Sequence, residues 1–373
     1  MPEIASPPAS TLTPAKTARQ RTDTFTSIWM IIAVAMALVT LVVKNRMPQP
    51  LWTMIHLVTL GVLSNGIFQW SWFFARSLAR LSADDPRARR HNTIRILIFN
   101  ACFLLLFVSM WLGWMVGTMI AATGIAAVAA WHGAEMLSVL RERLASRFVI
   151  VVRYYVCSAS FFVLAALLAS FVSATMFSPS IPEALVAMRD RLTLAHALSG
   201  VAGWVGLTIG GTAITLGPTI LRTRMSPDAV RGGVRVLLPW CLSLLLAIAG
   251  ALLGVMPLVG AGILAVGTCA IVGIVYPYAK VLRNKGPREY SAWSFLLGLL
   301  WISVGVCALG VASLFVSTPS QLRVLTLMWL PIIGIAGFAQ LFQGALSYLM
   351  PVVIGGGPSV VRIGIAIIDW QYS

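Results

Sequence analysis

The sequence predicts an all-α fold, a polytopic transmembrane bundle of about ten helices, on three observations. The 373-residue chain is 59% hydrophobic and only 10% charged, whereas soluble domains are roughly 45–50% apolar and about 25% charged. Its apolar residues form long runs, and its basic residues lie in short clusters between those runs. This composition excludes a disordered chain, a secreted disulfide scaffold and an ordinary soluble enzyme.

Ten apolar segments are long enough to cross a hydrocarbon core of roughly 30 Å at 1.5 Å per residue. Helices are expected because an open strand in lipid leaves its backbone groups unpaired. Two pairs of segments meet with almost no loop, at 113–117 and at 256–257. The predicted spans are 25–43, 51–74, 94–113, 117–140, 148–177, 192–221, 236–256, 258–282, 292–316 and 324–354.

Three regions follow from this division. Residues 1–24 are rich in Ala, Pro, Ser and Thr, and they are predicted to form a flexible cytoplasmic tail. Residues 25–354 form the transmembrane domain, and residues 355–373 form a short cytoplasmic tail. No small-residue cleavage site follows the first apolar segment, so we expect no cleavable signal peptide.

The net charge of +16 is arranged as membrane proteins arrange it. Placing the amino terminus in the cytoplasm puts 22 of the 27 Lys and Arg residues on the inner side, as the positive-inside rule requires. We therefore expect a multi-pass protein of the cytoplasmic (plasma) membrane with both termini cytoplasmic. Its partner is the lipid bilayer, and the clustering of charge does not favour nucleic acid.

Two histidines are the first site candidates. His56 lies about five residues into the second helix and His196 about four residues into the sixth, which places both roughly 6–8 Å below the outer end. Two neutral imidazoles at one level can hold haem iron or a copper ion. The alternative is two separate histidines hydrogen-bonded to backbone. Gly200, Gly203 and Gly210 lie on the same helix face as His196 and form a strip without side chains. A flat macrocycle could bind against such a strip, but close packing of a neighbouring helix is the favoured interpretation.

A second pair lies in the fourth helix, where WHGAE places His132 and Glu135 on one face. Ionisable groups at membrane depth are functional candidates, so this pair is a candidate proton relay or cation site. The alternative is a shallow pair that extends toward the inner interface near Arg141.

The remaining polar residues and the cysteines are expected to have structural roles. Asn65 and Gln69 point about 180–220° away from His56 at 100° per residue, and they are expected to form interhelical hydrogen bonds. His91 lies in the charged stretch RARRHN and is expected to be solvated. The five cysteines lie in apolar segments without a CxxC partner, so they are expected to be small core residues.

Three segments resemble a known family. HLVTLGVLSNGIFQWSWFFARSLAR (56–80), AHALSGVAGWVGLTIGGTAITLGPTILRTRM (195–225) and QGALSYLMPVVIGGGP (343–358) are similar to a polytopic membrane domain of actinobacterial proteins. That domain occurs alone or fused to a copper-oxidase or copper nitrite-reductase domain. It is itself distantly similar to the catalytic subunit of haem–copper oxidases and nitric oxide reductases, so the resemblance implies a haem–copper-oxidase-subunit-like bundle.

The resemblance also implies cofactor residues. His56 and His196 occupy the first positions of the family patterns HLxxLG and HxHLNxxGW. This chain has Leu198 and Gly200 where the second pattern has its next His and its Asn, so a binuclear haem–copper centre is not expected.

The leading functional expectation is a respiratory electron-transfer component that binds haem b or copper through His56 and His196. Its implied partners are membrane quinol and a separate outer-face copper or cytochrome protein. The alternatives are a proton-coupled small-solute transporter that uses His132 and Glu135, and a cofactor-free membrane scaffold subunit.

Overall fold

The computed structural model describes residues 18–82, 85–142, 149–177, 180, 182–284, 286–354 and 363–368. In these ranges the chain forms helices and contains no strand. Ten of the helical segments are long and apolar enough to cross a membrane, which confirms the predicted fold class. They are α1 (Phe25–Arg46), α2 (Pro50–Ala79), α3 (Arg89–Leu112), α4 (Met115–Glu142), α5 (Val149–Phe177), α6 (Glu183–Ile220), α7 (Pro227–Leu253), α8 (Met256–Arg283), α9 (Tyr290–Ser313) and α10 (Pro319–Pro351).

Each helix corresponds to one predicted span, and the largest differences are the starts of α6 and α7, each nine residues before the predicted start. α7 begins at Pro227 because the Ser226 side chain accepts a hydrogen bond from the backbone N–H of Asp228. α10 begins at Pro319 behind a capping box formed by Thr318 and Gln321. Apolar runs locate the buried part of a helix but leave out such polar first turns.

Two glycines end helices and explain the near-absence of loops there. Gly113 (φ +66°) follows α3, and Gly254 (φ +77°) follows α7. Residues with a side chain rarely adopt this left-handed conformation, which reverses the chain within a few residues. α7 therefore ends at Leu253, three residues before the predicted end at 256.

The side chains divide the bundle into a packed interior and an apolar periphery. One cluster of buried apolar residues joins α1 to α6, and a second joins α5 to α10 with the ends of α2 and α4. Outside these clusters, large apolar side chains such as Leu41 and Val42 are 77% and 84% exposed. Hydrocarbon is the solvent that tolerates such a surface, and the protein is a multi-pass membrane protein.

Basic side chains gather at one end of the bundle. Arg87, Arg222, Arg231 and Lys280 all pair with carboxylates at the ends where α2, α4, α6 and α8 finish. We call this the basic end, and the other the opposite end.

The predicted tails are only partly described. The first helix extends back to Ala18, inside the predicted tail 1–24, and residues 1–17 lie outside the described residues. In the predicted carboxyl-terminal tail, residues 363–368 are helical, and residues 355–362 and 369–373 lie outside the described residues.

Candidate functional site

α2 and α6 change their helical winding directly after a histidine. α2 is α-helical to His56 and π-helical over Leu57–Ser64. α6 is α-helical to Ala197, one residue after His196, and π-helical over Leu198–Gly206. π-helical turns are rare and occur frequently at functional sites.

These two helices bring His56 and His196 together at the opposite end of the bundle. Their ring centroids are 6.1 Å apart, and the ring planes are 11° from parallel. The ring of Trp52 stacks on His56 at 4.3 Å with an angle of 22°. Both histidines are half-buried. The topology from basic residues predicted a common level for the two imidazoles, and the structure places them side by side.

The backbone determines the tautomer of both rings. Nδ1 of His56 lies 2.9 Å from the carbonyl oxygen of Trp52, and Nδ1 of His196 lies 2.8 Å from that of Ala165. A carbonyl oxygen only accepts, so each Nδ1 carries the hydrogen and each Nε2 of a neutral ring keeps its lone pair. Histidines that bind a metal characteristically donate their second ring N–H in this way.

The spacing of the pair is compatible with one metal centre. An imidazole nitrogen binds a metal at about 2.0–2.1 Å, so two rings on opposite sides of one ion have their centres about 6 Å apart. Among the described residues, no third His, Cys, Asp or Glu joins the pair to form a larger ligand group. The two imidazoles are therefore the groups at this point that could hold a metal.

The glycine strip below His196 is occupied by protein. A Cβ at Gly203 would lie 2.5 Å from the Cβ of Phe161, and one at Gly210 would lie 3.2 Å from the ring of Trp240. Helix packing, the interpretation that the sequence favoured, is confirmed. Along Gly203 and Gly210 the strip therefore provides no space for a macrocycle.

At the basic end, Glu135 of α4 is bound from three sides. Arg95 of α3 donates a hydrogen bond and forms an ion pair through Nη1 with Oε2. Nδ1 of His91 lies 2.7 Å from Oε1, and Trp131 donates to the same oxygen at 2.8 Å. Glu135 is 9% exposed as a residue, so these partners enclose most of its side chain.

His132 makes different contacts from Glu135, although the two share a helix face. Its Nε2 lies 3.3 Å from Oγ of Ser71, and the residue is fully buried. The rings of Phe68 and Trp204 lie edge-on to it, with centroids 5.0 and 6.0 Å away. The proton-relay pair predicted from the sequence is thus two neighbouring polar positions, each with its own partner.

We call Glu135 and the three residues that bind it, His91, Arg95 and Trp131, the basic-end cluster. Two of these residues lie in other environments than the sequence indicated. His91 was expected to be solvated; its side chain is 39% exposed, but it contacts Glu135 and is part of the cluster. Arg95, at the edge of the predicted span 94–113, was counted with the basic residues of the inner side, and it is fully buried in α3. Their spacing of four residues places both on one helix face, and this signal could have found them.

A second group of hydrogen-bonded polar side chains links α1, α2 and α3. Asn100 donates to Oδ1 of Asn65 at 2.7 Å and accepts from Nε1 of Trp29 at 2.6 Å. Asn92 donates to Oε1 of Gln69 at 3.3 Å. The expectation that Asn65 and Gln69 form interhelical hydrogen bonds is confirmed.

A layer of aromatic rings from α2, α5 and α6 lies between the histidine pair and the basic end. Phe162 and Trp204 stack at 4.7 Å with an angle of 9°, and Phe68 lies 5.3 Å from Trp204. Trp204 donates to Oγ of Ser64 at 2.9 Å, which fixes its ring in place. The histidine pair and the basic-end cluster are therefore two distinct polar sites.

Outside the spans, the connection between α2 and α3 carries an ion-pair network. Arg87 bonds Asp85 at 2.7 Å and Glu142 at 2.5 Å. The hydrogen bond from Arg87 lowers the pKa of Asp85, and the two carboxylates raise the pKa of Arg87. This network ties the start of α3 to the end of α4, next to Glu135.

Comparison of the chain with family models, with curated proteins and with solved structures gives no match. The resemblance to the actinobacterial membrane domain therefore stays a prediction. The five cysteines are free thiols in half-buried positions.

Proposed function

We propose that this membrane protein binds one transition metal, as a copper ion or as haem iron, through Nε2 of His56 and Nε2 of His196. The supporting observation is the pair of parallel imidazoles whose Nδ1 atoms are both held by backbone carbonyl oxygens. Copper and iron both bind imidazole. The packing of α2 against α6 sets the distance between the two rings.

A metal bound here supplies one-electron redox chemistry at the opposite end of the bundle. The role that follows is electron transfer within a respiratory chain. Membrane quinol would be the electron donor, and a separate copper or cytochrome protein at the same membrane face would be the acceptor. The chain's own contribution is to orient the two rings through Trp52 and Ala165 and to shield them with the ring of Trp52.

The test is the metal content and colour of the detergent-purified protein. We expect one equivalent of copper, or a haem band in the reduced-minus-oxidised spectrum, and the two readouts distinguish the two forms of the centre. His56→Gln and His196→Gln should both lose the metal, whereas the control His91→Gln should keep it. Wild-type protein with neither copper nor a haem band would refute the proposal and favour a cofactor-free scaffold.

The Arg95–Glu135 ion pair supports a second candidate, proton-coupled transport of a small solute. Buried carboxylates paired in this way mark proton and substrate pathways in membrane proteins. Proteoliposomes containing pyranine and exposed to a panel of sugars, amino acids and organic cations should then show solute-dependent proton movement. The double variant Arg95→Gln/Glu135→Gln removes both charges together and should abolish it, whereas Asp228→Asn should not.

A further inference from the structure

Three buried nitrogen atoms near Glu135 lack a hydrogen-bond partner among the described residues. They are Nε of Arg95, Nε1 of Trp72 and Nδ1 of His132. Their residues are 0%, 1% and 0% exposed, so bulk water does not reach them. A buried polar atom without a partner costs about 1–3 kcal/mol, and such atoms in folded proteins are usually satisfied by an ordered water or ion.

The three side chains are neighbours. The guanidinium carbon of Arg95 lies 5.1 Å from the ring centre of Trp72, and the rings of Trp72 and His132 are 6.4 Å apart. Three side chains with an unsatisfied nitrogen, on three different helices, thus lie next to one another in the interior.

The chemistry of the three atoms specifies what would satisfy them. Nε of Arg95 and Nε1 of Trp72 can only donate, whereas Nδ1 of His132 accepts when Ser71 takes the hydrogen on Nε2. A water molecule accepts from the first two and donates to the third. These are the three hydrogen bonds that a buried water typically makes. Glu135 already balances the charge of Arg95, which favours a neutral ligand over an anion.

We propose that a water molecule is bound between Arg95, Trp72 and His132 and completes a hydrogen-bonded chain from the basic end to the middle of the bundle. The chain begins at His91, whose side chain is 39% exposed, and continues through Glu135 (11%) and Arg95 (0%) to the water and His132. It ends there, because Phe68 and Trp204 cover the far side of His132.

This inference is independent of the metal proposal. It means that water enters the interior of the bundle from the basic end as far as His132, and not beyond it. His132, although fully buried, would be in contact with water from the basic end only. The histidine pair at the opposite end lies beyond the aromatic layer and takes no part in this chain.

The experiment is solid-state NMR on protein in liposomes with ¹⁵N-labelled histidine, using transfer of magnetisation from water to the rings. The chain has four histidines, so single His→Gln variants assign each signal. His132 should receive magnetisation from water as the exposed His91 does, and its Nδ1 should be the unprotonated nitrogen. A His132 ring that receives none would overturn the proposal, with no variant required.

One variant tests the Trp72 donor, and a second serves as its control. Trp72→Phe removes one N–H and should weaken the transfer to His132 severalfold while leaving that to His91 unchanged. The control is Trp240→Phe, since Trp240 also has an unpartnered buried Nε1 but lies away from this cluster. An Nδ1 that carries a hydrogen, with a signal that changes when chloride is replaced by nitrate, would assign the site to an anion and contradict a bound water.

Discussion

The two halves of the bundle solve the problem of packing helices in lipid differently. Among the described residues, every buried Asn, Gln, His, Arg and Glu lies in α2, α3 or α4. In α7 to α10 the buried polar residues are serines of α9, and glycines allow the backbones to approach closely instead. A Cβ at any of these glycines would lie within 3.0 Å of a neighbouring backbone atom: Gly232, Gly250, Gly260, Gly262, Gly267, Gly298, Gly310 and Gly344.

The difference indicates a division of labour. Small residues at helix interfaces give close van der Waals packing, which drives association of helices in lipid. Polar groups in the same position cost several kcal/mol to bury and are retained where they have a function. The half from α1 to α6 holds both candidate sites, and the half from α7 to α10 is packed through close backbone contacts at glycines.

Breaking the ion pair should have the largest effect on the polar half. Arg95→Leu leaves Glu135 buried without its cation, which should cost about 3–5 kcal/mol of the free energy of unfolding in detergent. The double variant Arg95→Leu/Glu135→Leu removes both charges and should recover most of that loss. Equal losses in the single and double variants would contradict this expectation, because the loss would then not come from the unpaired charge of Glu135.

The glycine-packed half should respond to a single methyl group. In Gly310→Ala the new Cβ meets the backbone nitrogen of Leu264 at 2.5 Å, so α8 and α9 must separate. We expect a loss of about 1–3 kcal/mol in the free energy of unfolding, as for other overpacked interiors. Gly66→Ala is the matched control, because the nearest atom to its Cβ, in Phe342, is 3.7 Å away.

The interhelical amide pair should have a smaller effect. Asn100→Leu removes an acceptor from Trp29 and a donor from Asn65, and hydrogen bonds between membrane helices contribute about 0.6–1.7 kcal/mol. Ser303→Ala removes a hydroxyl that bonds only within its own helix, to Leu299, and serves as the control. Chemical denaturation of both variants in the same detergent would measure the difference.

The smallest effect should come from Asp85. Arg87 lowers its pKa below the ordinary value of 3.8, so its ionised form is stabilised by folding. That contribution is present above about pH 4 and is lost as the pH falls through the lowered pKa. Asp85→Asn should therefore reduce stability by no more than about 1 kcal/mol at neutral pH. At low pH the variant and the wild type should unfold alike.

The sequence predicted the parts of the structure that depend on composition. Apolar runs located ten spans, and the positions of Lys and Arg placed His56 and His196 at a common level. The basic-end cluster was missed because Arg95 lies at the edge of the predicted span 94–113, close to the charged stretch RARRHN, and was counted with the basic residues of the inner side. Only the fold reveals that Glu135 of the next helix lies opposite Arg95 and His91, since that contact depends on how α3 and α4 are rotated.

The π-helical segment after His56 has a consequence for the spacing of residues along α2. Each i→i+5 turn takes up one residue more than an α-helical turn. If the same residues, Leu57–Ser64, wound as an α-helix instead, His56 would turn by roughly 100° relative to Asn65 and Gln69. The imidazole would then point away from His196, although no atom of either histidine had changed. The helical winding of α2, as well as side-chain identity, keeps the two rings next to each other.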